Sequence, residues 1–119
     1  MATKTGTQLR ANLRLKALMA DYFGDLARAD RDRTAPVAWC TSVGPAELLR
    51  AMGFEVFFPE NHGAMLGATR MAALTMPQAH ALGYSQDICS YLTSDIGAFL
   101  ADQTPLAKAY GIERVPRPA

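Results

Sequence analysis

Val37-Ala38-Trp39-Cys40-Thr41-Ser42-Val43-Gly44-Pro45 is the stretch of this chain that decides its fold. Its apolar first half is typical of a short buried strand, and Ala35-Pro36 before it disfavours a helix. Pro45 then opens a helix that Gly53 ends, and the aromatic and β-branched run Phe54–Phe58 follows as a second strand. A strand, a helix and a strand in so short a span predict a βαβ unit with two parallel strands and a right-handed crossover.

The rest of the chain favours helices. Residues Thr7 to about Ala29 have the apolar spacing of an amphipathic helix capped by Thr7, and Arg28–Arg33 has the mixed charges of a solvated linker. Asn61-His62-Gly63 is typical of a loop. The later helices are predicted over Ala64 to about Met76, from Pro77 to Gly83, over Ile88 to about Leu100 with Asp87 as its cap, and from Thr104-Pro105 to Tyr110, ended by Gly111.

The apolar side chains of these helices are predicted to face a core, while the proline-rich tail approaches a further strand. Two parallel strands cannot bury their own edges, so the sheet is incomplete without further strands. We therefore predict a helix-rich α/β fold with a short parallel sheet, divided into 1–34, the helix and charged linker, and 35–119, the α/β part. The positions predicted to face inward are Leu9, Leu13, Ala17, Ala20, Phe23 and Leu26 in the first helix, Leu48, Leu49 and Met52 in the second, and Ile88, Tyr91, Leu92, Ile96 and Phe99 in the helix after Asp87.

Composition excludes several classes of function. The chain has 119 residues, 50% of them hydrophobic and 19% charged, with a formal net charge of +1, which fits one ordinary globular domain. No long run of one charge predicts a nucleic-acid partner, and no stretch has the roughly 20 apolar residues that span a membrane. The polar N-terminus lacks a secretory signal, so we expect a cytoplasmic location with reduced cysteines. Neither GxGxxG nor a Walker sequence occurs.

Reactive side chains follow both predicted strands. Cys40 ends the first strand, at the edge of a parallel sheet where ligands collect, and Glu60 and His62 come directly after the second, where either could act as a general acid or base. Cys89 lies near a helix start, where free amides favour a thiolate. The alternative is that both thiols are buried and inert, that Glu60 shapes a turn and that His62 packs, because the cysteine spacing matches neither a zinc nor a thioredoxin motif.

Gly83-Tyr84-Ser85-Gln86-Asp87-Ile88-Cys89-Ser90-Tyr91-Leu92-Thr93-Ser94-Asp95-Ile96-Gly97 resembles the iron–sulfur subunits of the 2-hydroxyacyl-CoA dehydratase and benzoyl-CoA reductase family. The upstream pieces agree in order and spacing: a strand ending in Cys40, the helix Pro45–Gly53, and then Phe57-Phe58-Pro59-Glu60-Asn61-His62. The resemblance covers most of residues 36 to 119.

This resemblance implies a Rossmann-like α/β fold and a [4Fe-4S] cluster held by three cysteines between two such domains. Cys40 and Cys89 match the first two ligands, and the third is expected outside this chain, because family members are several times longer. Ser42 and Glu60 fall where substrate-facing polar residues are found, and His62 is added from its position. Residues 35–119 would then be the N-terminal part of a cluster-binding domain.

The implied partners are an acyl-CoA thioester, a related second subunit and an ATP-dependent activator that delivers single electrons. The implied chemistry is radical, either dehydration of a 2-hydroxyacyl-CoA by a lyase or reduction of a benzoyl-CoA ring by an oxidoreductase, with a slight preference for ring reduction from the Phe57–His62 and Asp87–Cys89 blocks. Two alternatives stay open: a non-catalytic scaffold or assembly module that binds no cluster by itself, and a thiol enzyme based on Cys40.

Overall fold

The computed structural model describes residues 9–119. The predicted cap at Thr7 lies outside the described residues. Within them the chain forms six helices and two strands. They are α1 (Arg10–Asp32), β1 (Val37–Trp39), α2 (Ala46–Ala51), β2 (Glu55–Phe57), α3 (Pro59–Ala68), α4 (Ala72–Ala81), α5 (Ser90–Ala101) and α6 (Leu106–Tyr110).

The βαβ unit is confirmed. β1 and β2 are parallel neighbours, with Val37 opposite Glu55 and Trp39 opposite Phe57. The helix between them starts one residue later than predicted, because Pro45 takes the cap position, and Gly53 follows it with a φ of +89°, a conformation that favours glycine. The described chain is therefore a helix-rich molecule with a short parallel sheet of two strands, consistent with an α/β class.

The core lies where the second half of α1 and the tail meet the sheet, α3, α5 and α6. Aliphatic and aromatic side chains from all of these elements are buried together: Phe23, Leu26, Ala29, Val37, Phe57, Leu66, Ala98, Leu106, Ile112 and Val115. None of the helices in residues 9–119 is long and apolar enough to cross a membrane.

The predicted charged linker is wrong in its first part. α1 continues through Arg28 to Asp32 and ends at Arg33, whose φ is +56°. The reason is tertiary, because Asp30 is buried and its carboxylate accepts hydrogen bonds from Arg114 Nε and from the backbone N–H of Arg117, each at 3.0 Å. Pairing with the C-terminal tail makes this last turn of α1 part of the core.

Several apolar positions predicted to face inward are exposed. Leu9 and Leu13 are 67% and 52% exposed on the first half of α1, whereas Phe23 and Leu26 on its second half are buried. In α2 no residue is buried, and Leu48 and Met52 face solvent. A sheet of two short strands covers only a small area, so apolar side chains on the outer faces of these helices have nothing to pack against in the described chain.

The predicted loop at Asn61-His62-Gly63 is also wrong. α3 begins at Pro59, because a proline is favoured at the first helical position where its missing N–H costs nothing. The following break falls at Arg70, with a φ of +62°, and α4 runs through Pro77. Packing against α5 holds α4 straight past the proline, which overrides the local preference to break.

α5 buries a face that agrees only in part with the predicted one. It begins at Ser90 with Cys89 at the cap position, and Asp87 does not cap it. Of the predicted positions, Ile96 and Phe99 are half-buried, and Ile88, Tyr91 and Leu92 are exposed. The fully buried residues are small or polar: Thr93, Ser94, Asp95, Gly97 and Ala98. Small residues form this face because they let the backbones of α4 and α5 come close together. A Cβ atom placed on Gly97 would overlap the carbonyl oxygen of Thr75 in α4.

Candidate functional site

Cys40 sits at the carboxyl end of β1, as the sequence predicts. Its N–H donates to the carbonyl oxygen of Phe57 at 3.0 Å, which keeps it aligned with β2. The turn that follows folds back over the sulfur, because a Cβ atom on Gly44 would lie 2.5 Å from Cys40 Sγ. Cys40 is accordingly 7% exposed, so the thiol lies beneath the turn and not at an open surface.

The turn after β1 contacts the first turn of α3. The N–H of Ser42 donates to Glu60 Oε2 at 3.1 Å, and the Ser42 hydroxyl donates to Asn61 Oδ1 at 3.3 Å. The structure therefore brings Ser42 and Glu60 together, both exposed, at the edge where the two parallel strands end. The sequence analysis missed Asn61, although its place directly after Glu60 was a usable signal.

Cys89 occupies the cap position of α5 and is exposed, so the alternative of two buried thiols is wrong for this residue. α5 packs closely against α3, since a Cβ atom on Gly63 would lie 2.9 Å from the carbonyl oxygen of Tyr91. Cys40 precedes a turn that contacts Glu60 and Asn61, and Cys89 lies two residues before Tyr91, which contacts Gly63. The segments that follow the two cysteines therefore both contact α3.

Cys40 and Cys89 are the side chains that could contribute to a [4Fe-4S] site. Such clusters are held by cysteine thiolates, so Cys40 and Cys89 have the right chemistry. Residues 9–119 contain no group of three or more histidine, cysteine, aspartate or glutamate side chains placed to hold a metal ion. The two cysteines therefore fit as a part of a cluster site and do not form a complete one.

His62 is not at the edge of the sheet with Glu60. It is 2% exposed, its Nδ1 is hydrogen-bonded to the Asp95 carboxylate, and its Nε2 lies 2.8 Å from Thr104 Oγ1. α3 is already helical at this residue, and successive side chains of a helix are turned by about 100° around its axis. His62 therefore points into the core, while Glu60 and Asn61 are exposed. This corrects the expected position of His62 and agrees with the alternative that it packs. A single carboxylate, Asp95, in an otherwise apolar helix was the sequence signal that could have predicted a buried partner for His62.

A cavity of about 480 Å³ opens between α1, β2, α3 and α6. Its walls are mainly the apolar side chains of Met19, Phe23, Phe57, Phe58, Met65 and Leu106. Its polar lining residues are Tyr22, Asn61 and His62.

Tyr22 is held at the wall of this cavity by its hydroxyl. The hydroxyl donates to the carbonyl oxygen of Val56 at 2.7 Å. Burial raises the pKa of Tyr22 to about 12, and the negative charge of Glu55 acts in the same direction. Tyr22 is therefore a neutral hydrogen-bond donor near neutral pH.

Comparison with known proteins gives relatives of one kind. No protein-family model matches the chain. It is 34% identical to the lactoyl-CoA dehydratase subunit alpha of Anaerotignum propionicum over 75% of this chain and 22% of that protein. It is 31% identical to the (R)-2-hydroxyisocaproyl-CoA dehydratase alpha subunit of Clostridioides difficile over 73% of this chain and 21% of the relative. The (R)-phenyllactyl-CoA dehydratase alpha subunit of Clostridium sporogenes is 36% identical over 51% of this chain and 15% of its own length. The chain spans about a fifth of the length of the curated relatives that it matches.

Proposed function

This chain is a homologue of one part of the 2-hydroxyacyl-CoA dehydratase alpha subunits, and on that premise we propose that it forms part of the iron–sulfur subunit of an enzyme that removes water from a 2-hydroxyacyl-CoA thioester. The observation that carries the proposal is the contact between Ser42 and Glu60 beside Cys40, where two parallel strands end. Ligands of parallel α/β sheets bind at this edge. The relatives named above are dehydratase subunits, which favours water elimination over reduction of a benzoyl-CoA ring.

In this proposal Cys40 and Cys89 provide two thiolate ligands of a [4Fe-4S] cluster, and the third cysteine lies outside this chain. When bound, the cluster would supply single-electron transfer to the substrate. Cys89 is exposed at the N-terminus of the 12-residue helix α5, where a metal could reach its sulfur. The turn around Gly44 shields the Cys40 sulfur from water, which suits a ligand that must not be oxidised.

Ser42 and Glu60 act on the substrate in this proposal. The Ser42 hydroxyl can turn from Asn61 to donate a hydrogen bond to the thioester oxygen. Glu60 can accept a hydrogen bond from the 2-hydroxyl group of the acyl chain and so orient it, because its carboxylate is exposed and is held in place by the Ser42 N–H. His62 has both ring nitrogens engaged inside the core and is assigned a structural part.

A Rossmann-like sheet is also part of the proposal. The carbonyl oxygen of Pro36 and the N–H of Cys40 are hydrogen-bonded to β2. Backbone groups of successive residues in a strand point to opposite edges, so the carbonyl of Val37 points away from β2. The N–H of Ala119 donates to that carbonyl at 2.9 Å, and this bond at the free edge of β1 supports a third strand on that side. A related second subunit and an ATP-dependent electron activator complete the proposed assembly.

Anaerobic reconstitution of the purified chain with iron and sulfide tests the ligand assignment. We expect bound iron and a broad visible absorption from the native chain, and loss of most of the iron in Cys40→Ser and in Cys89→Ser. Ser90→Ala, beside Cys89, is the matched control and should keep its iron. Retention of iron in both cysteine variants would show that Cys40 and Cys89 are not cluster ligands.

The scaffold alternative has one observation in its favour, the absence of a third donor near the two cysteines within residues 9–119. It predicts a colourless chain after reconstitution that still binds a second subunit tightly. A thiol enzyme predicts rapid alkylation of Cys40, which its 7% exposure disfavours.

A further inference from the structure

We infer that the cavity between α1, β2, α3 and α6 binds the side chain of the acyl group, and that this group is a branched aliphatic or aromatic one. The inference rests on the proposed function and adds the substrate class to it. A cavity of about 480 Å³ falls within the range of about 300–1,000 Å³ that is usual for small-molecule sites. Its walls are made of aromatic and thioether side chains together with Leu106, which is the usual lining of an apolar ligand site.

Asn61 connects this cavity to the proposed reaction site. Its side chain lines the cavity, and its Oδ1 accepts the hydrogen bond from the Ser42 hydroxyl at 3.3 Å. A thioester held at Ser42 and Glu60 would therefore have its acyl chain directed past Asn61 and into the cavity. Asn61 lies next to Ser42 on one side and borders the acyl chain on the other in this arrangement.

Two of the three polar side chains in the wall are already paired. The Tyr22 hydroxyl donates to the carbonyl of Val56, and both nitrogens of His62 are engaged by Asp95 and Thr104. Among residues 9–119, no lysine or arginine lines the cavity. An acyl group that ends in a second carboxylate would bury its charge here without a counter-ion, which is strongly unfavourable. The lining therefore selects apolar acyl groups over acidic ones.

Binding of small thioesters to the purified chain tests this inference. The probes are the N-acetylcysteamine thioesters of 4-methylpentanoic acid, 3-phenylpropanoic acid and glutaric acid, followed by ligand-observed NMR and calorimetry. We expect the first two to bind and the glutaryl thioester to bind at least about tenfold more weakly, since burying an unpaired charge costs well over the 1.4 kcal/mol of a tenfold change.

A matched pair of variants locates the binding. Met19→Glu places a carboxylate at the partly exposed wall of the cavity, and Met52→Glu places one on α2, which does not line it. We expect Met19→Glu to weaken the apolar probes by about tenfold or more, while Met52→Glu leaves their affinity unchanged. Circular dichroism checks that both variants keep the native helix content.

Three results would overturn the inference: equal binding of the glutaryl and apolar probes, unchanged affinity in Met19→Glu, or no binding of any probe at millimolar concentration. The iron assay above separates this failure from that of the proposed function. If the cysteine variants lose iron but no probe binds the chain, the cavity inference is refuted and the cluster assignment stands. Probes that bind a chain without cysteine-dependent iron leave the cavity and refute the cluster assignment.

Discussion

At the scale of single residues, His62 shows how the backbone conformation sets a side chain's role. A loop would have left its imidazole beside Glu60, but the helix that starts at Pro59 turns it into the core. There its ring packs against Phe57, with the ring centroids 5.4 Å apart, and bonds to Asp95 and Thr104. Its Nδ1 faces the Asp95 carboxylate and its Nε2 faces the Thr104 hydroxyl, so the network gives hydrogen-bond partners to three buried polar side chains.

This network predicts strong coupling between His62 and Asp95. His62→Ala should lower the free energy of unfolding by about 3–5 kcal/mol, because it leaves a buried carboxylate without its partner. The double variant His62→Ala/Asp95→Ala should cost less than the sum of the two single variants, by about 1–3 kcal/mol. Urea denaturation of the four proteins measures this difference.

His80→Ala is the control, because half-buried His80 lies outside the network. Its effect should stay below about 1 kcal/mol. Additive costs for His62→Ala and Asp95→Ala would contradict the pairing.

At the scale of elements, the packing of α5 depends on two glycines in facing surfaces. Gly97 lets α5 touch the backbone of α4 at Thr75, and Gly63 lets α3 touch the backbone of α5 at Tyr91. These close approaches explain why small and polar residues form the buried face of α5.

Alanine at two glycines should change stability in opposite directions. Gly97→Ala forces α4 and α5 apart and should cost about 1–3 kcal/mol even after the gain in helix propensity. Gly67→Ala in α3 adds a methyl group that meets nothing within 4 Å and should stabilise the chain by about 0.5–1 kcal/mol. Thermal unfolding followed by circular dichroism compares them, and a stabilising Gly97→Ala would disprove the close helix contact.

At the scale of the whole molecule, the C-terminal tail ties α1 to the sheet. The Asp30 carboxylate bonds to Arg114 and to the Arg117 backbone, and the Trp39 indole donates to the carbonyl oxygen of Pro116 at 2.8 Å. Val115 and Pro116 are buried in the same region. The tail is therefore a part of the core and holds the last turn of α1 in place.

Asp30→Ala should release this tail. It removes two charge-assisted hydrogen bonds and should lower the free energy of unfolding by about 1–3 kcal/mol, with faster hydrogen exchange in residues 112–119. Asp32→Ala, which breaks only the exposed pair with Arg31, should cost no more than about 1 kcal/mol and leave exchange in the tail unchanged. Equal exchange in both variants would show that Asp30 does not anchor the tail.

Local chemistry in the sequence determined the two strands, their parallel pairing and several helix ends. Proline fixes its own φ and glycine permits a positive φ, so Gly53 and Gly111 mark the ends of α2 and α6 whatever packs around them. The grouping of Cys40 and Glu60 followed from the same signals, because parallel strands end at one edge, whereas Ser42 came from the family resemblance.

Only the tertiary structure decided which helix faces are buried, that α1 continues through Asp30, that His62 is a core residue, and that Asn61 joins the site to a cavity. Each of these depends on a partner far away in the chain: Asp30 on Arg114, His62 on Asp95, and Gly97 on Thr75. Burial free energy depends on which surfaces meet in space, and spacing along one helix does not contain that information.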